Sequence, residues 1–285
     1  MRRNKIWNVL LVLAIIASSN VTVDAQPSER DREMTRWLED DGDFLDKDGR
    51  DLAIVRDVVD RALDLKPGSR IEVDASKFGG IRIKGWSQDR IQVTARIKTA
   101  AATREEAEAL AEDVEVVIQK NGEGVEIYSD GPRIRNETFW SVKFDVRVPV
   151  RSDLNLETGF GGISIEEVNG NLRFYAEFGS LDLEKISGRA VGETRFGSIN
   201  VELDGRNWIG ERLDVSTQFG SIKAYIPGDY SADLETGTSF GSMSVDFPIT
   251  VQGRLLGKQV RTQLGEGGAP VRLMTQFGGI DIRER

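Results

Sequence analysis

The chain is predicted to be all-β, a β-solenoid or β-helix-like array of short strands, on three observations. Phe-Gly-Gly or Phe-Gly-Ser occurs seven times, at Phe78, Phe160, Phe178, Phe196, Phe219, Phe240 and Phe277. Each triplet is followed by an apolar-x-apolar run, such as Ile163/Ile165, Leu181/Leu183 and Ile199/Val201. The alternation also continues upstream, as in Leu154, Leu156, Thr158 and Phe160. Period-2 runs joined at glycine corners are strands with one buried face. Intervals between the last six Phe are 18, 18, 23, 21 and 37 residues. An 18-residue unit supplies two short strands and two turns, too little to bury its own apolar face, so neighbouring units must stack.

Stacking places equivalent positions ~4.8 Å apart, and the Phe side chains are expected to form one internal column. Glycine after each Phe permits a positive φ or a close backbone approach at the corner. Two positions before each Phe sits a small residue: Ser76, Thr158, Ala176, Thr194, Thr217, Thr238 and Thr275. These form an inward ladder beside the rings. The longer intervals locate two excursions, residues 206–210 and roughly 248–268, expected as loops or small hairpins on the flank.

Taken in chain order, residues 1–25 read as a signal peptide. Arg2, Arg3 and Lys5 precede a 12-residue stretch from Ile6 to Ala17 that is apolar apart from Asn8, and Val23-Asp24-Ala25 is a small-x-small cleavage pattern. That stretch rises only about 18 Å as a helix, short of the ~30 Å hydrocarbon core. No transmembrane span is expected in the mature chain, which is read as exported: periplasmic, envelope-associated or extracellular.

Residues 26–66 form an acidic leader or linker, expected to be partly helical. Leu52, Val55, Val59 and Ala62, with Leu63 beside them, fit a short amphipathic helix, and residues 29–39 a second one. Lys66-Pro67-Gly68-Ser69 closes the leader with a turn signal. Asp41, Asp43, Asp46, Asp48 and Asp51 invite a calcium reading. An EF-hand register on Gly49 puts Phe44 at the first ligand position and Val55 at the bidentate one, and a register on Gly42 puts Trp37 first, so both fail. The acidic run is a solvated linker.

The β-strand-repeat domain spans 67–285. Its first part, 67–150, carries alternating runs plus one helix near residues 103–113, marked by the capping box Thr103-Arg104-Glu105-Glu106. The regular Phe-Gly-Gly/Ser coils occupy 151–285.

The repeated Phe-Gly-Gly/Ser with Ile-x-Ile, the run Ile81-Arg82-Ile83-Lys84-Gly85-Trp86 and the run Val146-Arg147-Val148-Pro149 resemble the bacterial "putative adhesin" β-strand-repeat family, a domain of unknown function. Asp246-Phe247-Pro248-Ile249 and Gly265-Glu266-Gly267-Gly268-Ala269-Pro270 are similar to that family's C-terminal hairpin and last coil. The resemblance covers roughly residues 68–283. It implies an envelope-associated β-solenoid and transfers no catalytic residues.

Composition narrows the chemistry. With neither Cys nor His among 285 residues, disulfides, thiol nucleophiles, cysteine-ligated metals and the usual general base are all excluded. The formal charge is −9, and an acidic surface repels phosphate backbones, so nucleic acid is not an expected partner. No cofactor is implied.

Glu166, Glu184 and Glu202 fall in one outward column, with Asp182 and Asp204 as neighbours and Asp246 further along, and are the candidates for a cation site. The more economical reading is a solvated acidic face. Gly265-Glu266-Gly267-Gly268 lacks the Gly-Lys-Ser/Thr end and following helix of a phosphate loop and is a turn. Trp208, Tyr225 and Tyr230 are the interaction candidates, Trp208 either anchoring a partner or folding back over the flank. The expected function is a non-enzymatic, adhesin-like or structural binding protein of the cell envelope. Its partner would be a polysaccharide, a protein or another copy of the chain. The alternatives are an envelope-stress sensor or regulator acting through the leader on a protein or lipid, and a carbohydrate-active β-helix enzyme.

Overall fold

In a computed structural model the described residues are 52–75, 78–134, 138–246 and 259–285. The signal peptide, the Asp run of the leader, the 29–39 helix and most of the second excursion lie outside them. The chain opens with β1 (Ala53–Asp64), β2 (Arg70–Asp74), β3 (Ile81–Trp86) and β4 (Arg90–Ala101). Helix α1 (Arg104–Glu112) follows, then β5 (Glu115–Asn121), β6 (Gly124–Asp130) and β7 (Phe139–Pro149). The repeats supply β8 (Asp153–Phe160), β9 (Ile163–Glu166), β10 (Asn169–Phe178), β11 (Leu181–Glu184), β12 (Ser187–Phe196) and β13 (Ile199–Glu202). They continue with β14 (Arg212–Phe219), β15 (Ile222–Ile226), β16 (Ala232–Phe240) and β17 (Met243–Val245). The last strands are β18 (Gln259–Leu264), β19 (Pro270–Phe277) and β20 (Ile280–Glu284).

These strands make two open, mixed sheets, each ten-stranded among the described residues. The first runs β1-β4-β7-β3-β9-β11-β13-β15-β20-β17, and the second β18-β16-β19-β14-β12-β10-β8-β2-β6-β5. Through the repeats the chain alternates between the sheets. The strand before each Phe joins the second sheet and the apolar-x-apolar strand after it joins the first. Pairing is parallel and in register with the repeat: Leu181 faces Ile163 and Ile199, and Phe178 faces Phe160 and Phe196. Inward side chains of both sheets form one continuous core, with Ile71, Ile83, Phe144, Ile163, Ile165, Leu172 and Leu181 at its centre.

The helix expected over Leu52–Leu63 is instead strand β1, antiparallel to β4 over twelve residue pairs from Ala53↔Ala101 to Asp64↔Arg90. Val55, Val59 and Leu63 are spaced by four, a step that keeps residues on one face at either period 3.6 or period 2. The spacing therefore cannot choose between helix and strand. The unpaired edge of β4 supplies the backbone partners that select the strand. The helix at 103–113 is present as α1. The Thr103 side chain caps it by accepting from the Glu106 N–H at 3.2 Å.

The Phe rings stack, but most of the column lies outside the main core. Successive centroids are 4.6–5.1 Å apart with interplanar angles of 5–24°. Phe78 and Phe160 are buried, in a small cluster of their own with Leu52, Ala100 and Phe139. Phe178, Phe196, Phe219 and Phe277 are half-buried, and Phe240 is 63% exposed. Each Phe ends its strand, so its ring lies where the sheet has already turned away from the core. The expected internal column is thus a flanking stack.

The ladder inside the stack is of threonine. Hydroxyls of Thr158, Thr194, Thr217, Thr275 and Thr238 donate to the carbonyls of Gly79, Gly179, Gly197, Gly220 and Gly278, at 2.6–2.9 Å. Each bond ties one repeat to its spatial neighbour and satisfies a carbonyl at the corner.

Spatial order departs from chain order at the C-terminus. Strand β19 lies between β14 and β16, so Phe277 stacks between Phe219 and Phe240. The described part of the second excursion adds β18 as an antiparallel edge to β16.

Candidate functional site

The outward face of the first sheet carries side chains in rows that cross the strands. One row reads Lys84, Glu166, Glu184, Glu202, Tyr225 and Arg283, each opposite the next. The three candidate carboxylates are therefore brought into line as expected, but each meets a cation. Lys84 Nζ is 2.7 Å from Glu166, Lys185 Nζ 2.9 Å from Glu184, and Arg285 2.8 Å from Glu202. The hydrogen bond from Lys84 to Glu166 raises the lysine pKa, and that from Lys185 to Glu184 does the same there. A divalent cation would have to displace these three partners. No group of three or more ligating side chains occurs among the described residues.

Lys185 and Glu167 occupy equivalent corner positions with φ of 50° and 58°. Lys185 also approaches Glu167 at 3.9 Å.

The interaction candidates divide. Trp208 is buried and its indole N–H donates to the Gly188 carbonyl at 3.0 Å, so the first excursion folds back over the flank. Tyr230 is buried too, and desolvation, then the charge of Asp204, pushes its phenol far up. Neither ring is presented to a partner. Tyr225 is half-exposed in the outward row. Ile209, beside Trp208, is 67% exposed.

On the second sheet a row unmarked in the sequence runs Asp74, Glu157, Tyr175 and Glu193. Desolvation, then Asp74, raises Glu157; desolvation alone raises Glu193; and desolvation first, with Glu177 and Glu193 after it, raises Tyr175. Glu157, Tyr175 and Glu193 follow the 18-residue step, and the pairing of β2 with β8 adds Asp74 to them. The folded state holds the Glu193 proton more tightly than the unfolded chain does. Ionisation therefore costs stability as pH rises from the ordinary glutamate value of 4.5 through the raised one. Glu193→Gln is expected to raise the melting temperature at neutral pH. The gain should vanish well below pH 4.5, where both states are protonated, as thermal melts across that range would read.

No family model matches the chain, and no curated protein matches it. Solved structures are similar to it. One is described as a "putative cell adhesion protein" from Clostridium sporogenes, 12% identical, TM-score 0.41, covering 80% of this chain and 100% of that one. Another is a "putative adhesin" from Bacteroides fragilis, 10% identical, TM-score 0.27, covering 80% and 97%. A third is a "putative lipid binding protein" from Parabacteroides distasonis, 11% identical, TM-score 0.22, covering 80% and 96%.

Proposed function

We propose that the protein is an exported, non-enzymatic β-solenoid that binds a component of the cell envelope. The observation that carries this reading is the outward face of the first sheet, where residues from five or more repeats present charged side chains in register over a rigid, continuous core. Such a face is a large, pre-organised surface whose side chains repeat at the spacing of the strands, which suits an extended or repeating partner. The alternation of the chain between two sheets, with an 18-residue step, supports winding as a solenoid. The N-terminal export pattern supports a site of action outside the cytoplasm, and no helix among the described residues is long and apolar enough to cross a membrane.

The test is co-sedimentation of the chain beginning at Gln26 with envelope fractions of its own organism, across a salt series with and without calcium. Saturable binding is expected, weakening as salt screens the charged face. Because the glutamate row already holds Lys84, Lys185 and Arg285, calcium should change little. Absence of binding in every fraction would overturn the proposal.

A further inference from the structure

The chain carries a net charge of −9, yet β3, β4 and β7 together hold seven Lys or Arg and one carboxylate, Asp145. Register puts these cations on a single face. Lys84 lies opposite Arg147, Arg96 opposite Lys143, and Arg56 of β1 opposite Lys98, while β1 also brings Asp60 and Asp64 to this face at its margin, opposite Thr94 and Arg90. Like charges placed directly across a ladder destabilise a sheet, so this arrangement works against folding. Asp145 answers two of the cations, Arg82 at 3.4 Å and Arg96, and Glu166 answers Lys84. No carboxylate among the described residues forms an ion pair with Lys143 or Arg147, while Arg90 stands opposite Asp64 on β1.

Trp86 organises one end of the strip. Its indole N–H donates to the Arg90 carbonyl at 2.8 Å, and the guanidinium carbons of Arg90 and Arg147 lie 5.2 and 5.9 Å from its ring centre. A guanidinium held against an aromatic ring loses little freedom on binding, and its fork of N–H donors fits a carboxylate in bidentate fashion.

We infer that this cationic strip is a binding site for a linear acidic polysaccharide, whose uronate carboxylates bridge the opposed cation pairs. The inference deepens the envelope-binding proposal and rests on it for the source of the ligand. Cations recur about every 4.8 Å across the strands and about 6.8 Å along them, the scale of a sugar unit. The strip is narrow. On the same sheet face it borders Glu166, Glu184 and Glu202, which would repel a broad anionic membrane surface, whereas a single polymer chain can lie along the cations alone. Trp86 is the single aromatic side chain on β3 and β4, so the strip lacks the series of stacking platforms that single-stranded nucleic acid uses.

The test measures binding of the purified full chain to polygalacturonate, with neutral dextran as comparator. Saturable, salt-sensitive binding to polygalacturonate and none to dextran is expected. Lys143→Glu with Arg147→Glu should weaken it at least tenfold, while the same charge change on the second sheet, Arg173→Glu with Lys120→Glu, leaves it within twofold. The milder Lys143→Gln with Arg147→Gln removes two like-charge oppositions, so it should raise the melting temperature while lowering affinity. A purely structural role would not produce that opposed pair of effects. Equal weakening by the distant pair, no weakening by the strip pair, or binding at least as tight to vesicles of 1:3 phosphatidylglycerol:phosphatidylcholine or to oligo-dT would overturn the assignment. Envelope binding that survives in the strip variants would sink this site and leave the wider function standing.

Discussion

Gly179→Ala is expected to destabilise the protein by about 3 kcal/mol or more, at or above the upper end of overpacking costs. A Cβ at Gly179 would lie 2.5 Å from the carbonyl carbon of Gly161 and closer still to its oxygen. Neither can give way. The Gly161 N–H donates to the Phe178 carbonyl at 2.9 Å, and the Gly179 N–H to the Phe196 carbonyl at 3.0 Å, so both backbones are held in the corner. The same approach recurs at Gly197 against Gly179 and at Gly220 against Gly197. One added methyl thus pushes on a column of corners rather than on one turn. Chemical denaturation of the variant would read the loss directly. A change below about 1 kcal/mol would show that the corners are not closely stacked.

Phe144→Ala should cost about 3–5 kcal/mol, and Phe240→Ala no more than about 1 kcal/mol. Phe144 is fully buried on β7, between Ile81 of β3 and Ala95 of β4, and its removal leaves a cavity lined by strands that backbone pairing prevents from collapsing. Phe240 belongs to the repeated motif, yet it is 63% exposed and stacks on one neighbour, Phe277, at 4.8 Å. Equilibrium unfolding of the two variants side by side tests whether the repeated Phe or the non-repeated one anchors the core. Equal losses would put the Phe stack back inside it.

Seven Phe-Gly-Gly/Ser motifs mark the Phe positions, but recurrence reports that a residue fits every corner, not that it is buried there. The rings are held by stacking on each other. Burial belongs to the alternating Ile, Leu and Val before and after them, and to the Thr hydroxyls that reach the glycine carbonyls. The candidate carboxylates Glu166, Glu184 and Glu202 could be aligned from an 18-residue spacing alone. Their partners could not. Lys84 is 82 residues from Glu166, and Arg285 reaches back from the last residue of the chain to Glu202. Trp208 left two readings open, and the Gly188 carbonyl decided between them by accepting the indole proton.

The amino-acid sequence by itself determined the all-β class, the 18-residue step, the glycine corners and helix α1, because each follows from a local pattern whose period or capping residue has one structural solution. Tertiary structure decided what depends on which strands become neighbours. It made β1 a strand, because a spacing of four fits both helix and strand until an open edge on β4 is offered. It placed β19 between β14 and β16, since a strand's neighbour is selected by core packing and backbone pairing rather than by chain order. It also gathered Arg56, Lys84, Arg96, Lys98, Lys143 and Arg147 onto one face of an acidic protein, because strand register, antiparallel between β1, β4 and β7 and parallel between β3 and β7, aligns residues that lie tens of positions apart.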